Sequence, residues 1–160
     1  MKNKLVIVTG ASSGIGKACA LEFAKKGANL VLAARSVDKL EIISKEISLL
    51  GVEVLCVPTD VSKEEDCKIL MDKSLAKFGK IDVLVNNAGI SMRAAFAELD
   101  LEVLKKVMDV NFWGTVYCTR YAIKSILENK GSVVGVSSIA GYKGLPGRTG
   151  YSASKFAMHG

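Results

Sequence analysis

Histidine is almost absent from this chain: His159 is the only one in 160 residues, and no two of the four cysteines form a Cys-x-x-Cys pair. The ligand spacings of zinc sites are therefore missing, and no metal is expected. Cys19, Cys56, Cys67 and Cys118 are widely separated and suggest no disulfide framework, so they are expected as buried or half-buried thiols in a reducing cytoplasm. Long hydrophobic runs are also lacking. The opening MKNKLVIVTG begins like a secretory leader, but its apolar stretch stops at Thr9-Gly10, and no segment approaches the ~20 apolar residues of a membrane span. Aromatics make up only 6% of the chain and its lysines are dispersed, so the net charge of +6 comes without a basic cluster interleaved with stacking rings. Neither nucleic acid nor a membrane is an expected partner. The 49% hydrophobic and 24% charged residues are those of a folded globular chain, read as one domain over residues 1–160 with a sizeable core.

Short β-branched runs alternate with longer segments of helical period. The runs LVIV (5–8), LVLAA (30–34), VEVLCV (52–57), IDVLV (81–85) and SVVGV (132–136) are continuously apolar, as parallel strands covered on both faces should be. Helices are expected from Gly14 to Lys26, stopped by Gly27, and from Ser36, with Val37, Leu40, Ile43, Ile47 and Leu50 on one face. Ser62-Lys63-Glu64-Glu65 reads as a capping box that opens a third helix ending at Phe78-Gly79. A long fourth helix is expected from Asp100 to Asn129, with Leu104, Met108, Phe112, Val116, Ile123 and Leu127 as its apolar stripe, and a last one starts near Tyr151. This alternation predicts an α/β fold with a doubly wound parallel sheet. Such sheets commonly have six strands and this chain offers five, so the sequence reads as one truncated after the fifth strand and the start of the last helix.

The first strand runs directly into Thr9-Gly10-Ala11-Ser12-Ser13-Gly14-Ile15-Gly16, which opens the first helix. Glycines allow such a turn its positive φ angles and a close approach to pyrophosphate, while the helix N-terminus offers free N–H groups. Five residues separate Gly10 from Gly16, and Lys17 is followed by Ala18, so this is not the P-loop of a triphosphatase. It fits a variant of the dinucleotide-binding fingerprint. The second strand ends at Ala34-Arg35, where an NAD-selective site usually carries an acid. Arg35 can instead pair with a 2′-phosphate, with Ser12 as a second donor, so NADP(H) is expected ahead of NAD(H).

Tyr151 and Lys155 are one helical turn apart, so a helix there puts both on one face. An ammonium beside a phenol favours the phenolate, and a serine hydroxyl near it can hold a carbonyl oxygen. Ser138 follows the fifth apolar run, with Ser137 its adjacent competitor. His159 lies one turn beyond Lys155 and is read as incidental.

Taken together, TGASSGIG (9–16), NNAG (86–89), Asn111, Ser138 and YSASK (151–155) closely resemble the short-chain dehydrogenase/reductase family over the whole chain. The resemblance implies a Rossmann-type fold, a nicotinamide cofactor, and hydride transfer to or from a small-molecule carbonyl or alcohol. It implies that Thr9, Gly10, Ser12, Ser13, Gly14, Ile15 and Gly16 form the cofactor turn. By the same likeness Asp60 and Val61 meet the adenine, and Asn87, Ala88 and Gly89 flank its ribose. Asn111, Ser138, Tyr151 and Lys155 match the family's catalytic set, with Tyr151 as general acid or base. The resemblance further implies that Lys155 favours the phenolate and holds the nicotinamide ribose, that Tyr151 also contacts the cofactor, that Ser138 orients the substrate oxygen, and that Asn111 positions a water. The family's interval to the tyrosine selects Ser138 over Ser137, and a homodimer or homotetramer is expected of a full-length member. Because the family's C-terminal third is missing, the alternative is an NADP(H)-binding module without turnover.

Overall fold

The computed structural model describes residues 1–160. Five strands, β1 (Leu5–Thr9), β2 (Asn29–Ala34), β3 (Val54–Pro58), β4 (Val83–Asn86) and β5 (Ser132–Gly135), form one parallel sheet in the order β3-β2-β1-β4-β5. The helices between them are α1 (Gly14–Lys25), α2 (Val37–Ser48), α3 (Glu64–Phe78), α4 (Leu101–Met108) and α5 (Gly114–Glu128), with α6 (Thr149–His159) after β5. This is the expected doubly wound sheet. The strand order reverses between β1 and β4, which opens a crevice at the carboxyl ends of those two strands.

Why the runs are continuous rather than alternating follows from the two cores. Successive side chains on a strand point to opposite faces. Leu5, Ile7, Val31, Ala33 and Leu84 therefore pack with α3 and α5, while Val6, Val8, Leu30, Leu32 and Val85 pack with α1 and α2. Both faces of β1 are sealed, and burying each such aliphatic side chain stabilises the fold by about 1.5–3 kcal/mol. The edge strand β5 differs, since all four of its residues are exposed.

Helix ends follow the sequence at three glycines: Gly27, Gly51 and Gly79 adopt φ of +80°, +75° and +73°. Along the second helix Leu40, Ile43 and Ile47 are buried as expected, whereas Val37 and Leu50 at its ends are exposed. The capping box does not form. Helix α3 starts at Glu64, and the Ser62 hydroxyl and N–H are both donated to the Asp60 carboxylate, at 2.7 and 3.1 Å. Lys63 is the N-cap residue, so Ser62 lies outside the helix and turns to the aspartate two residues upstream.

The long fourth helix is also interrupted. Between α4 and α5, Asp109–Trp113 form a π turn, in which the Gly114 N–H reaches the Asp109 carbonyl five residues back. The buried line runs through Val107, Asn111, Gly114, Cys118, Ala122 and Ile126. The expected stripe is half-exposed at Leu104, Met108, Phe112, Val116 and Ile123, and exposed at Leu127. Within this core the Cys67 and Cys118 thiols are buried 3.5 Å apart, and the hydrogen bond to Cys67 and burial raise the Cys118 pKa.

Asp82 anchors the start of β4. Its carboxylate is 2% exposed, accepts the Leu5 N–H at 2.8 Å, and is bridged by Lys4 at 2.7 Å and Lys80 at 3.1 Å. Burial alone raises its pKa, but these three donors outweigh burial and hold it below the usual carboxylate value. A depressed folded-state pKa gives stability that is present above the unfolded value and lost as pH falls through the folded one. The urea midpoint is therefore expected to hold between about pH 7 and 5 and fall below about pH 4, the unfolded aspartate pKa. Asp82→Asn should flatten that fall, and an unchanged acid limb in the variant refutes the assignment.

Candidate active site

The turn from β1 to α1 builds one wall of the crevice. Gly10 and Gly14 have φ of +63° and +53°, and a Cβ on Gly10 would lie 2.8 Å from Ala88 Cα. The first bond of α1 runs from Lys17 N–H to the Ser13 carbonyl, so the N–H groups of Gly14, Ile15 and Gly16 have no partner in the chain. The Ser13 hydroxyl does not cap them either. Three donors at a helix N-terminus form a place for an anion.

Thr9 stands behind this wall, and the Cα of Gly16 packs against the back of it while its N–H stays free. The Thr9 hydroxyl donates to the Val85 carbonyl at 3.3 Å and accepts the N–H groups of Asn87 and Ala88, each at 3.0 Å. The Asn87 amide donates in return to the carbonyls of Thr9 and Gly10, at 2.9 and 3.2 Å. A Cβ on Gly16 would meet the Gly10 oxygen at 2.4 Å. Both residues thus brace the turn against the end of β4.

The crevice itself is a groove of about 390 Å³. Gly10, Ser12, Ser13, Gly14 and Ile15 line one side, and Arg35 stands exposed where β2 ends. Asp60 and Val61 line it after β3, and Asn87, Ala88 and Gly89 after β4. Ala34, Ser36, Thr59, Ile90 and Val110 complete the lining. Ala34 is the strand end where an acid is lacking, and motif spacing does not reveal the other four, although each is the chain neighbour of a residue that it does. Burial works to raise the Asp60 pKa, but the Ser62 hydroxyl and N–H, then the charges of Arg35 and Lys63, leave it lowered. Asp60 is therefore anionic and fixed in direction at neutral pH.

Beyond Gly89 the groove leads to the second group of residues. Asn111 lies in the π turn, completely buried. Its amide accepts the Ile90 N–H at 2.8 Å and donates to the Ile90 carbonyl and the Ser154 hydroxyl, both at 2.9 Å. It thereby joins the segment after β4 to α6. A Cβ on Gly89 would lie 3.2 Å from Asn111 Oδ1 and 3.7 Å from Lys155 Nζ, so both groups stand directly against this residue at the end of the groove.

Helix α6 carries Tyr151 and Lys155 on one face, with Lys155 Nζ 5.9 Å from the Tyr151 ring centre. Nζ donates to the Val136 carbonyl at 2.7 Å, and no hydrogen bond joins it to the phenol. Lys155 is only 4% exposed, and burial lowers its pKa. Ser138 follows β5, and its hydroxyl accepts the Ala140 N–H at 3.2 Å at the start of a short turn. His159 is not incidental. Its Nε2 lies 2.7 Å from the Ser137 hydroxyl and its ring packs edge-on against Tyr142, 4.4 Å between centres. Four residues past Lys155, it faces the same segment that follows β5. Ser137 is therefore occupied by His159, and Ser138 is left to face its own turn.

The sequence pattern described as short chain dehydrogenase matches residues 4–160. The chain belongs to this family. Its short chain dehydrogenase relatives include 11-beta-hydroxysteroid dehydrogenase-like 2 of Arabidopsis thaliana, 44% identical over 157 residues, covering 97% of this chain and 51% of that protein. Another is 11-beta-hydroxysteroid dehydrogenase A of Arachis hypogaea, 45% identical, at 97% and 45% coverage. The chain thus spans about half the length of the curated relatives it matches. Among solved structures, an alcohol dehydrogenase from the archaeon Thermococcus sibiricus, complexed with 5-hydroxy-NADP, superposes with a TM-score of 0.95 at 36% identity. It is matched over 96% of this chain and 66% of that one. An NAD+-bound xylitol dehydrogenase superposes with a TM-score of 0.94 at 31% identity, over 98% and 61%. Short chain dehydrogenases are oxidoreductases with a Rossmann-like fold, and these neighbours bind nicotinamide cofactors. No helix of the chain is long and apolar enough to cross a membrane.

Proposed function

We propose that residues 1–160 form one Rossmann-type unit of a cytoplasmic oxidoreductase, in which NADP(H) and a carbonyl or alcohol exchange a hydride while Tyr151 exchanges a proton. The observation that carries this reading is the junction at Gly89, where the nucleotide groove meets Asn111 and Lys155 on the helix that bears Tyr151. The groove suits a dinucleotide: free N–H groups of α1 await a pyrophosphate, and Gly10 keeps the wall close to β4. Asp60, held by Ser62, has the character of an acceptor for an amino group. When bound, the nicotinamide supplies or accepts the hydride.

The chain's own groups do the rest. Tyr151 donates its phenolic proton to the new alkoxide in reduction and recovers it in oxidation. Lys155 places a positive charge beside the ring that favours the phenolate, and its lowered pKa makes it a readier proton source than a free lysine. Ser138 holds the substrate oxygen. Asn111 acts as a positioning residue, since its two amide donors and its oxygen already engage Ile90 and Ser154. Four free thiols accord with a reducing compartment, and exposed Trp113, Leu127 and Phe156 give apolar surface for self-association.

Arg35 and Ser12 favour NADP(H) over NAD(H) at the end of β2. NADPH should bind the chain more tightly than NADH, and Arg35→Ala should weaken NADPH about 10- to 100-fold while affecting NADH little. Equal loss for both cofactors in a fluorescence titration would remove Arg35 from the 2′-phosphate. A second reading, NADP(H) binding without turnover, is favoured by β5, whose four residues are all exposed beside the site. NADPH binding with no oxidation across a panel of ketones and aldehydes decides for it.

A further inference from the structure

Charge is sorted unevenly in this molecule. Every ion pair engages a lysine: Lys4, Lys17, Lys25, Lys77, Lys80 and Lys105. None engages any of the four arginines, Arg35, Arg93, Arg120 and Arg148. Arg35 is accounted for by the nucleotide groove. Arg93 and Arg148 stand on adjoining loops beside Tyr151.

Two loops bring them there. The Ala94 N–H donates to the Gly147 carbonyl at 3.0 Å, which joins the segment after β4 to the segment before α6. Gly147 has φ of +69°, and a Cβ there would lie 3.6 Å from Arg93 Cγ, so the Arg93 stem lies along it. Arg148 follows directly. One of its guanidinium nitrogens donates to the Ser91 hydroxyl, and its Cζ stands 6.0 Å from the Tyr151 ring centre. Lys155 Nζ stands 5.9 Å from the same ring. The tyrosine is thus flanked by two cations, with a third on the adjoining loop, and no carboxylate pairs with any of them. Ser91 and the ring fix the Arg148 guanidinium while engaging only one of its five N–H donors. A planar fork held in place with free donors is a receptor for an oxyanion.

We propose that the substrate reduced or oxidised at Tyr151 carries an anionic oxyacid group, a carboxylate or a phosphate monoester, which Arg148 binds with Arg93 beside it. This rests on the proposed function, since it places the anion a short distance from the carbonyl that Tyr151 serves. The arrangement also orders the chemistry. An anion held at Arg148 offsets the repulsion between that guanidinium and Lys155, and it points the substrate's carbonyl end towards the phenol.

The test compares affinities in the 160-residue chain saturated with NADPH. The probes are 4-oxo-4-phenylbutanoate with its methyl ester, and dihydroxyacetone phosphate with dihydroxyacetone. At least one anion is expected to bind about 10-fold or more tightly than its neutral partner, and which one does so separates carboxylate from phosphate. In Arg148→Met that ratio should fall to about 1, and Arg148→Lys should recover part of it, which a loop-pinning role alone would not give. A wild-type ratio near 1 for both pairs overturns the proposal, whether or not the variants fold. So does a preference that survives in Arg148→Met. NADPH oxidation is followed with the same four probes. If the anion preference holds but no probe is turned over, the anion site stands and the hydride-transfer reading falls.

Discussion

Tyr151→Phe should abolish carbonyl-dependent oxidation of NADPH, lowering kcat by about 10²- to 10⁴-fold, the usual worth of one positioned proton donor. The substitution removes one oxygen and keeps the ring. Arg148 and Lys155 therefore retain the ring that both approach, and α6 keeps its packing. Cofactor affinity should move far less than kcat, because the groove that holds the dinucleotide is lined by the turn after β1 and by the ends of β2, β3 and β4. A split of that kind, seen by steady-state kinetics beside a fluorescence titration of NADPH, identifies a group that acts in the transition state. Turnover within about 10-fold of the parent would mean that the proton comes from elsewhere. The pH profile gives a second handle. Burial lowers the Lys155 pKa, so its charge is lost at lower pH than that of a free lysine, and support for the phenolate weakens as pH rises through that value.

A Gly131→Ala substitution should cost as much in stability as Tyr151→Phe costs in rate. Gly131 leads into β5, and a Cβ there would lie 2.1 Å from the Asp82 carbonyl oxygen and 2.9 Å from its carbon. Neither atom belongs to a flexible side chain. That same carbonyl accepts the Ser132 N–H at 2.9 Å, the first rung between β4 and β5, while the Asp82 carboxylate is held by Lys4, Lys80 and Leu5. The methyl group must therefore push apart two strands or break the Asp82 anchor. The loss is expected at about 3 kcal/mol, the upper end for a steric insertion, read as a drop in the urea midpoint. Ser132→Ala, one residue on and exposed, is the control and should shift the midpoint little.

How much of this was legible in the sequence depended on whether the cause was local. Strand positions were readable because burial on both faces leaves a continuous apolar run, and LVIV, LVLAA and IDVLV carry that mark directly. The glycine stops at Gly27 and Gly79 were readable because a positive φ selects the residue. The groove lining was mostly readable, since strand ends and turn residues are consecutive in the chain. What failed depended on partners distant in sequence or on competition nearby. Ser62 could cap a helix, yet α3 begins one residue too late for it and its hydroxyl turns to Asp60. The pairing of His159 with Ser137 spans 22 residues and appears only when α6 packs over the end of β5. The stripe of the long helix was misread because its most apolar face is not its buried one: small and polar residues, Asn111, Gly114, Cys118 and Ala122, turn inward where other elements pack closely, and only those distant partners decide it.

That π turn has a consequence for how this chain can vary in length. Deleting one residue from 109–113 would let α4 and α5 join as an ordinary helix, so the local hydrogen bonding would improve. The helices on either side would keep their directions, because five residues of π turn advance the chain by about the same angle as four of α. Only the turn itself would change. Asn111 lies inside it, buried, with its amide between Ile90 and Ser154, so a shortening here would act on that one junction. The helix keeps a poorer internal geometry at the one place where it holds two other segments together.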